Sequence, residues 1–167
     1  CDGLRNAVDR LENTPELRVG ILRGAGKVFC AGMDLKAYLA GGADDVLMGE
    51  HGFAGFVKRQ RTKPIIASVQ GAALAGGFEI MLACDMVIAS DDTVFGLPEA
   101  KIGLVAGAGG AIRLGALLPP AVANETLLTG DPCNAARAQS LCLLQQMLAH
   151  AHSHASALLI ARALSAT

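Results

Sequence analysis

The sequence predicts an α/β fold with a mainly parallel sheet. Several short runs rich in Val, Ile and Ala are bounded by Gly, Pro or charged residues, a pattern typical of strands buried on both faces. Segments with apolar residues at helical spacing separate these runs along the chain. Hydrophobic residues make up 52% of the 167 positions, which is enough for one domain with its own core. Strands that alternate with helices favour parallel pairing between the strands.

The first half of the chain begins with an amphipathic helix. Apolar residues recur at helical spacing within residues 3–13, and Asp2 is the expected N-cap. A buried strand is predicted at residues 18–23. The Gly-rich segment 41–55 is expected to be a mobile loop that leads into a helix at residues 52–61.

The second half repeats the alternation. Further strands are predicted at residues 65–71, 85–90 and 93–96. A helix is expected from Gly76 to about Cys84. After a Gly-rich stretch at residues 103–110, the remaining chain to Thr167 is predicted to be helical. We divide the chain into a core at residues 1–130, which would hold the site, and a helical segment at residues 131–167.

Charge and cysteine usage exclude several classes of protein. The net charge of −1 provides no basic surface for nucleic acid or for an anionic membrane. Residues 138–161 carry no Asp, Glu, Lys or Arg, but their three Gln and three His argue against a membrane span. The alternating histidines have no cysteine or carboxylate at ligand spacing, so no metal site is expected. Five cysteines without a CxxC pair indicate a reducing, cytoplasmic location.

Two glycine-containing turns are candidates for binding negative charge. The first, residues 29–35, combines small residues with Gly32, so that a ligand could approach the backbone and its free N–H groups. An ordinary turn capped by Asp34 explains the same residues. The second turn begins a helix at Gly76, where unpaired N–H groups and the positive end of the helix dipole favour developing negative charge.

Two glutamates follow predicted strands. Glu79 lies in the first turn of the helix that begins at Gly76, and the apolar residues after it make an unused carboxylate there costly. Glu99 follows Pro98 in a loop, a common place for catalytic groups. The residues alone leave simpler explanations open: Glu79 could merely complement the helix dipole, and Glu99 could be an exposed partner of Lys101.

Taken together and in order, these segments resemble the crotonase (enoyl-CoA hydratase/isomerase) superfamily. The resemblance is carried by VGILRGAGKVFCAGMDLKAY, KPIIASVQGAALAGGFEIMLACDMVIAS, TVFGLPEAKIGLV, GAGGAIRLGALLPP and NETLLTG. Within the superfamily, GFAGF, GGFEIMLACD, FGLPEAKIGLV and LLPPAVANE are most similar to the carnitinyl-CoA dehydratases, also called crotonobetainyl-CoA hydratases.

The resemblance implies a ββα superhelix, truncated here at both ends, with an acyl-CoA thioester as the ligand and assembly into trimers or pairs of trimers. It implies that the N–H groups of Met33 and Gly76 form an oxyanion hole and that Glu79 and Glu99 are the catalytic pair. The positions that it implies for substrate binding are Ala31, Met33, Asp34, Leu35, Lys36 and Gly76. It implies no cofactor other than the coenzyme A of the substrate itself.

Both glutamates are present, and this favours hydration or dehydration of a 2-enoyl-CoA. Two alternatives remain at this point. An enoyl-CoA isomerase needs only one of the glutamates, and a non-catalytic acyl-CoA-binding protein could retain the fold. The sequence leaves open which glutamate is the acid and which is the base.

Overall fold

The computed structural model describes residues 2–34, 36 and 49–166. In these ranges the strands are β1 (Gly20–Arg23), β2 (Ile65–Val69), β3 (Ala72–Leu74), β4 (Met86–Ser90), β5 (Val94–Gly96), β6 (Cys133–Asn134) and β7 (Gln146–Leu148). The α-helices are α1 (Asp2–Asn13), α2 (Gly76–Leu82), α3 (Gly110–Leu117), α4 (Pro120–Thr129), α5 (Ala135–Ser140) and α6 (His150–Ser165), and 3-10 helices span Phe53–Gly55 and Pro98–Ile102.

The main sheet has four strands in the order β1-β2-β4-β7, and every neighbouring pair is parallel. All five residues of β2 are buried, because the strand is covered on both faces. One face packs on the main hydrophobic core, and α6 covers the other face through Ala157 and Ala161 against Ile66 and Ile88. The predicted parallel α/β architecture is confirmed.

A second, smaller sheet has the order β3-β5-β6. Its strand β3 pairs in parallel with β5, and a single bridge joins Cys30 to Ala73. Strand β3 was not predicted as a separate strand, because only two residues separate it from β2. Gly71, with φ of 65°, turns the chain there from the first sheet to the second. The two-sheet arrangement brings the Cys30 turn next to the start of α2.

Three local predictions are wrong. Asp2 lies inside α1 instead of capping it, and it pairs with Arg5 at 3.4 Å. The helix predicted at residues 52–61 is reduced to the 3-10 turn Phe53–Gly55, because Gly52, Ala54 and Gly55 all have positive φ. Of the predicted mobile loop at residues 41–55, positions 41–48 lie outside the described residues.

The third wrong prediction is that the segment 131–167 is helical throughout. Strand β7 extends the main sheet beside β4, and β6 pairs antiparallel with β5. Sequence periodicity missed both because strands of two and three residues are too short to show a period. The segment therefore completes both sheets of the core. Within the described ranges, no helix is both long and apolar enough to cross a membrane.

Candidate functional site

Two backbone turns meet at the centre of the site. A methyl group at Gly32 would lie 2.9 Å from Cβ of Ala75 and 3.3 Å from the backbone nitrogen of Gly76. A methyl group at Gly77 would overlap the carbonyl oxygen of Cys30. The first glycine turn and the start of α2 are therefore in direct contact, and larger residues would push them apart.

The N-terminus of α2 leaves amide groups without helical partners. The N–H groups of Phe78 and Glu79 both bond back to the carbonyl of Ala75. Gly76 occupies the first position of the helix, so its N–H has no partner four residues earlier within the helix. Ala75, with φ of 49° and ψ of −129°, adopts a backbone conformation that L-residues rarely take. Strain of this kind is concentrated at functional sites.

These turns border a cavity of about 270 Å³. Its described lining is mostly apolar, and Glu79 and Glu99 are the charged side chains among the lining residues. The full lining consists of Ala31, Met33, Phe53, Ala75, Gly76, Glu79, Pro98, Glu99, Ile102, Leu104, Val105, Gly107 and Ala108. A concave apolar pocket with a few convergent polar groups is the usual form of a small-molecule site.

Glu79 is almost fully buried, with 3% of its surface exposed. Its Oε1 accepts a hydrogen bond of 2.8 Å from the N–H of Gly110, the first residue of α3. Burial raises the pKa of Glu79, and the nearby Glu99 carboxyl raises it further. The backbone N–H groups of Gly110 and Ala108 and the charge of Arg113 oppose that rise. Glu79 is thus held as an acceptor by donors that favour its ionised form.

Glu99 has a different environment. It lies in the 3-10 helix Pro98–Ile102, directly after a proline that orients the chain at the end of β5. Burial raises its pKa, and only its own backbone N–H opposes the rise. Its Oε2 is buried without a hydrogen-bond partner in the described part of the chain. A carboxyl in such surroundings is easier to protonate than an exposed one.

The structure brings together most of the residues singled out from the sequence. Ala31, Met33 and Gly76 line the same cavity as the two glutamates. Asp34 and Lys36 are not among the described lining residues. Instead, Asp34 accepts the N–H of Lys36 at 2.9 Å, which makes a local side-chain turn. Leu35 lies outside the described residues.

Sequence reasoning missed two parts of the site. Phe53 packs its ring against Gly76, where a methyl group would lie 2.5 Å from the ring. Leu104 and Val105 form an apolar side of the cavity. No pattern in the sequence identifies Phe53, because a single aromatic residue after a Gly-rich segment has many explanations. The N–H of Gly110 had a usable signal, because a run of glycines just before a helix is suited to binding a carboxylate.

Comparisons with known proteins show which family this chain is similar to. The sequence model of the enoyl-CoA hydratase/isomerase family matches residues 1–167. A carnitinyl-CoA dehydratase of Proteus mirabilis is 50% identical over 131 residues, which is 77% of this chain and 50% of the relative. The carnitinyl-CoA dehydratase of Escherichia coli K12 is 45% identical over 82% of this chain and 53% of its own length.

Solved structures give the same result. An enoyl-CoA hydratase from Mycobacterium marinum superposes with a TM-score of 0.93 at 45% identity, over 99% of this chain and 64% of the other. A carnitinyl-CoA dehydratase from Mycobacterium avium superposes with a TM-score of 0.90 at 40% identity, over 99% of this chain and 65% of the other. The chain spans about half the length of the curated relatives it matches.

Proposed function

Because this chain belongs to the enoyl-CoA hydratase/isomerase family, we propose that the protein adds water to, or removes water from, a 2-enoyl-CoA thioester. The observation that carries this proposal is the convergence of Glu79 and Glu99 on one apolar cavity beside the first N–H of α2. An isomerase would need only one of these carboxyls. Hydration needs groups that both accept a proton from water and supply one to carbon.

The two turns would stabilise the developing charge. When water oxygen bonds to Cβ of the substrate, electrons move through the conjugated system and negative charge builds on the thioester oxygen. We assign the N–H groups of Met33 and Gly76 to this oxygen, in support of which both residues border the cavity and their turns touch. Loss of one such donor costs about 2.7–4 kcal/mol in comparable sites.

The surroundings of the two glutamates support a division of roles. Burial raises the pKa of both carboxyls, but Glu79 accepts an N–H bond and lies near a cation, which oppose the rise and suit a base that takes a proton from water. Glu99 has a buried oxygen without a partner among the described residues and no described cation that lowers its pKa, which suits an acid that supplies a proton to Cα. Water thus contributes OH to Cβ, and a proton passes to Cα. No redox step is required, so we propose no cofactor besides the coenzyme A of the substrate.

We propose crotonobetainyl-CoA, or its hydrated counterpart, as the substrate to test first. The support is that relatives at 45–50% identity are carnitinyl-CoA dehydratases. Crotonyl-CoA is the matched substrate without the quaternary ammonium group. A preference for crotonobetainyl-CoA would support the narrower assignment, whereas equal or better use of crotonyl-CoA would favour a general enoyl-CoA hydratase.

The test is incubation of the purified chain with each thioester, with loss of the enoyl absorbance as the signal and mass spectrometry to detect the gain of one water. Double-bond migration without a mass change would contradict hydration and indicate an isomerase. Thioester binding without any chemical change would contradict catalysis and indicate a non-catalytic binding protein. Glu79→Gln is the negative control for turnover.

We also propose that the whole protein is a homotrimer or a dimer of trimers in the cytoplasm. In support of assembly, several large apolar side chains are exposed, among them Val105 at 79%, Ile112 at 80% and Leu128 at 77%. Soluble monomers rarely present extensive apolar patches. In support of a reducing location, the described cysteines at positions 30, 84, 133 and 142 are free thiols.

A further inference from the structure

The side chain of Arg113 folds back over the loop that precedes its own helix. One of its terminal nitrogens, Nη1, donates to the carbonyl of Ala108 at 3.3 Å, and Nη2 donates to the carbonyl of Val57. A methyl group at Gly109 would overlap Nη1, so the guanidinium occupies the space directly above that glycine. The backbone N–H of Arg113 also bonds to the carbonyl of Gly109 at 2.9 Å. The guanidinium of Arg113 therefore ties the loop 108–110 to the segment that contains Val57.

The same short loop supplies the donors to Glu79. The N–H of Gly110 bonds to Oε1 at 2.8 Å, and the N–H of Ala108 is also directed at the carboxyl. Arg113 is bonded to the carbonyl side of this loop while the amide side faces Glu79. Arg113 is not one of the described residues that line the cavity.

We propose that Arg113 is a positioning residue, which fixes the loop 108–110 so that the N–H of Gly110 holds the Glu79 carboxyl aimed into the cavity. This inference rests on the proposed function, in which Glu79 is the base. The planar fork of arginine suits this position, because its two terminal nitrogens reach carbonyls of separate segments at once. A lysine in the same place keeps the charge but bonds through a single nitrogen.

The charged groups that act on Glu79 in the described structure are Glu99 and Arg113. Arg61 and Cys84 in turn act on Arg113. Of these groups, Arg113 alone favours the ionised form of Glu79 by its charge. Removal of that charge moves the pKa of Glu79 upward, and the acidic limb of the kcat/KM profile moves with it to higher pH.

Two variants of the chain separate charge from geometry. Arg113→Met keeps an unbranched stem and removes both charge and donors. It should lower kcat by roughly 10- to 100-fold, in line with the effect of a small misplacement of a catalytic group, with KM nearly unchanged. It should also move the acidic limb to higher pH. Arg113→Lys should lower kcat while the limb stays near its original position.

Arg59→Met is the matched control, since Arg59 also joins a backbone carbonyl, that of Arg5, and a second group, the carboxylate of Asp9. It should reduce thermal stability and leave the pH profile unchanged. If Arg113→Met lowers kcat with the same pH profile as the parent chain, or raises KM in proportion, Arg113 has only a structural role and the proposal is wrong.

A measurement without turnover distinguishes failure of this inference from failure of the proposed function. Carboxyl carbons of glutamate can be labelled and titrated by NMR, with the Glu79 signal assigned by its absence in Glu79→Gln. The Glu79 titration should move to higher pH in Arg113→Met and not in Arg59→Met, even if neither thioester is converted. An unchanged Glu79 titration in Arg113→Met would overturn the proposal, whatever the activity.

Discussion

Substitution of Gly110 by alanine should damage the site through one methyl group. The added Cβ would lie 2.9 Å from both Cγ and Oε1 of Glu79, and 3.2 Å from Cβ of Ala106. Carbon atoms in contact prefer about 3.5–4.0 Å, so Glu79 must move by roughly 0.6–1 Å. Glu79 is buried and hydrogen-bonded to Gly110, so a displacement of this size would lengthen or break that bond.

The size of the effect follows from this displacement. A misplacement of about 1 Å can reduce a rate about 100-fold. Overpacking of a buried site costs about 1–3 kcal/mol, which corresponds to a fall in Tm of roughly 2–12 °C at about 2–4 °C per kcal/mol for a chain of this size. The rate of enoyl-CoA hydration measures the loss of activity, and thermal unfolding followed by circular dichroism measures the fall in Tm.

Gly115→Ala is the control on the same helix. A methyl group at Gly115 has nothing within 4 Å, and alanine in the interior of a helix is about 0.5–1 kcal/mol more stable than glycine. Gly115→Ala should therefore raise Tm slightly and preserve activity. If Gly110→Ala retains parental kcat and Tm, Glu79 is not confined as described and the reasoning is refuted.

The remaining predictions concern Glu99, Met33 and assembly. Glu99→Gln should abolish hydration and leave thioester affinity nearly unchanged. It should also raise Tm at neutral pH, by about 2–4 °C for each kcal/mol gained in the free energy of unfolding. Because burial raises the pKa of Glu99, the stability contributed by its protonated form is complete below the unfolded pKa of 4.5 and is lost as pH rises through the folded pKa. The gain in Tm should therefore vanish below about pH 4.5, and a gain that persists there would contradict this explanation. Met33→Ala should have a mild effect on kcat, whereas Met33→Pro should reduce kcat about 10²–10³-fold because the N–H donor is lost; equal effects would remove Met33 from the oxyanion hole. Light scattering at several concentrations should detect trimers or hexamers of the intact protein and association of this chain, and a monomer stable on dilution would contradict the proposed assembly.

Several elements could be predicted because their signals are local. Strands β2 and β4 are continuous apolar runs between turn residues, and both form as parallel buried strands. Helix α2 begins at Gly76, as expected from the glycine pair that follows a buried strand. The elements that sequence reasoning missed are very short, and they exist because a neighbouring strand is in place to pair with them.

For the site, the sequence by itself determined which residues can carry the chemistry: two glutamates after strands and two glycine turns with exposed amides. The tertiary structure decided how they differ. Glu79 receives the N–H of Gly110, which is 31 residues further along the chain, while Glu99 is half-buried and its buried Oε2 lacks a described partner. A pKa depends on the groups within a few ångströms in space. Spacing along the sequence contains no such information, so the proposed roles of acid and base rest on the fold alone.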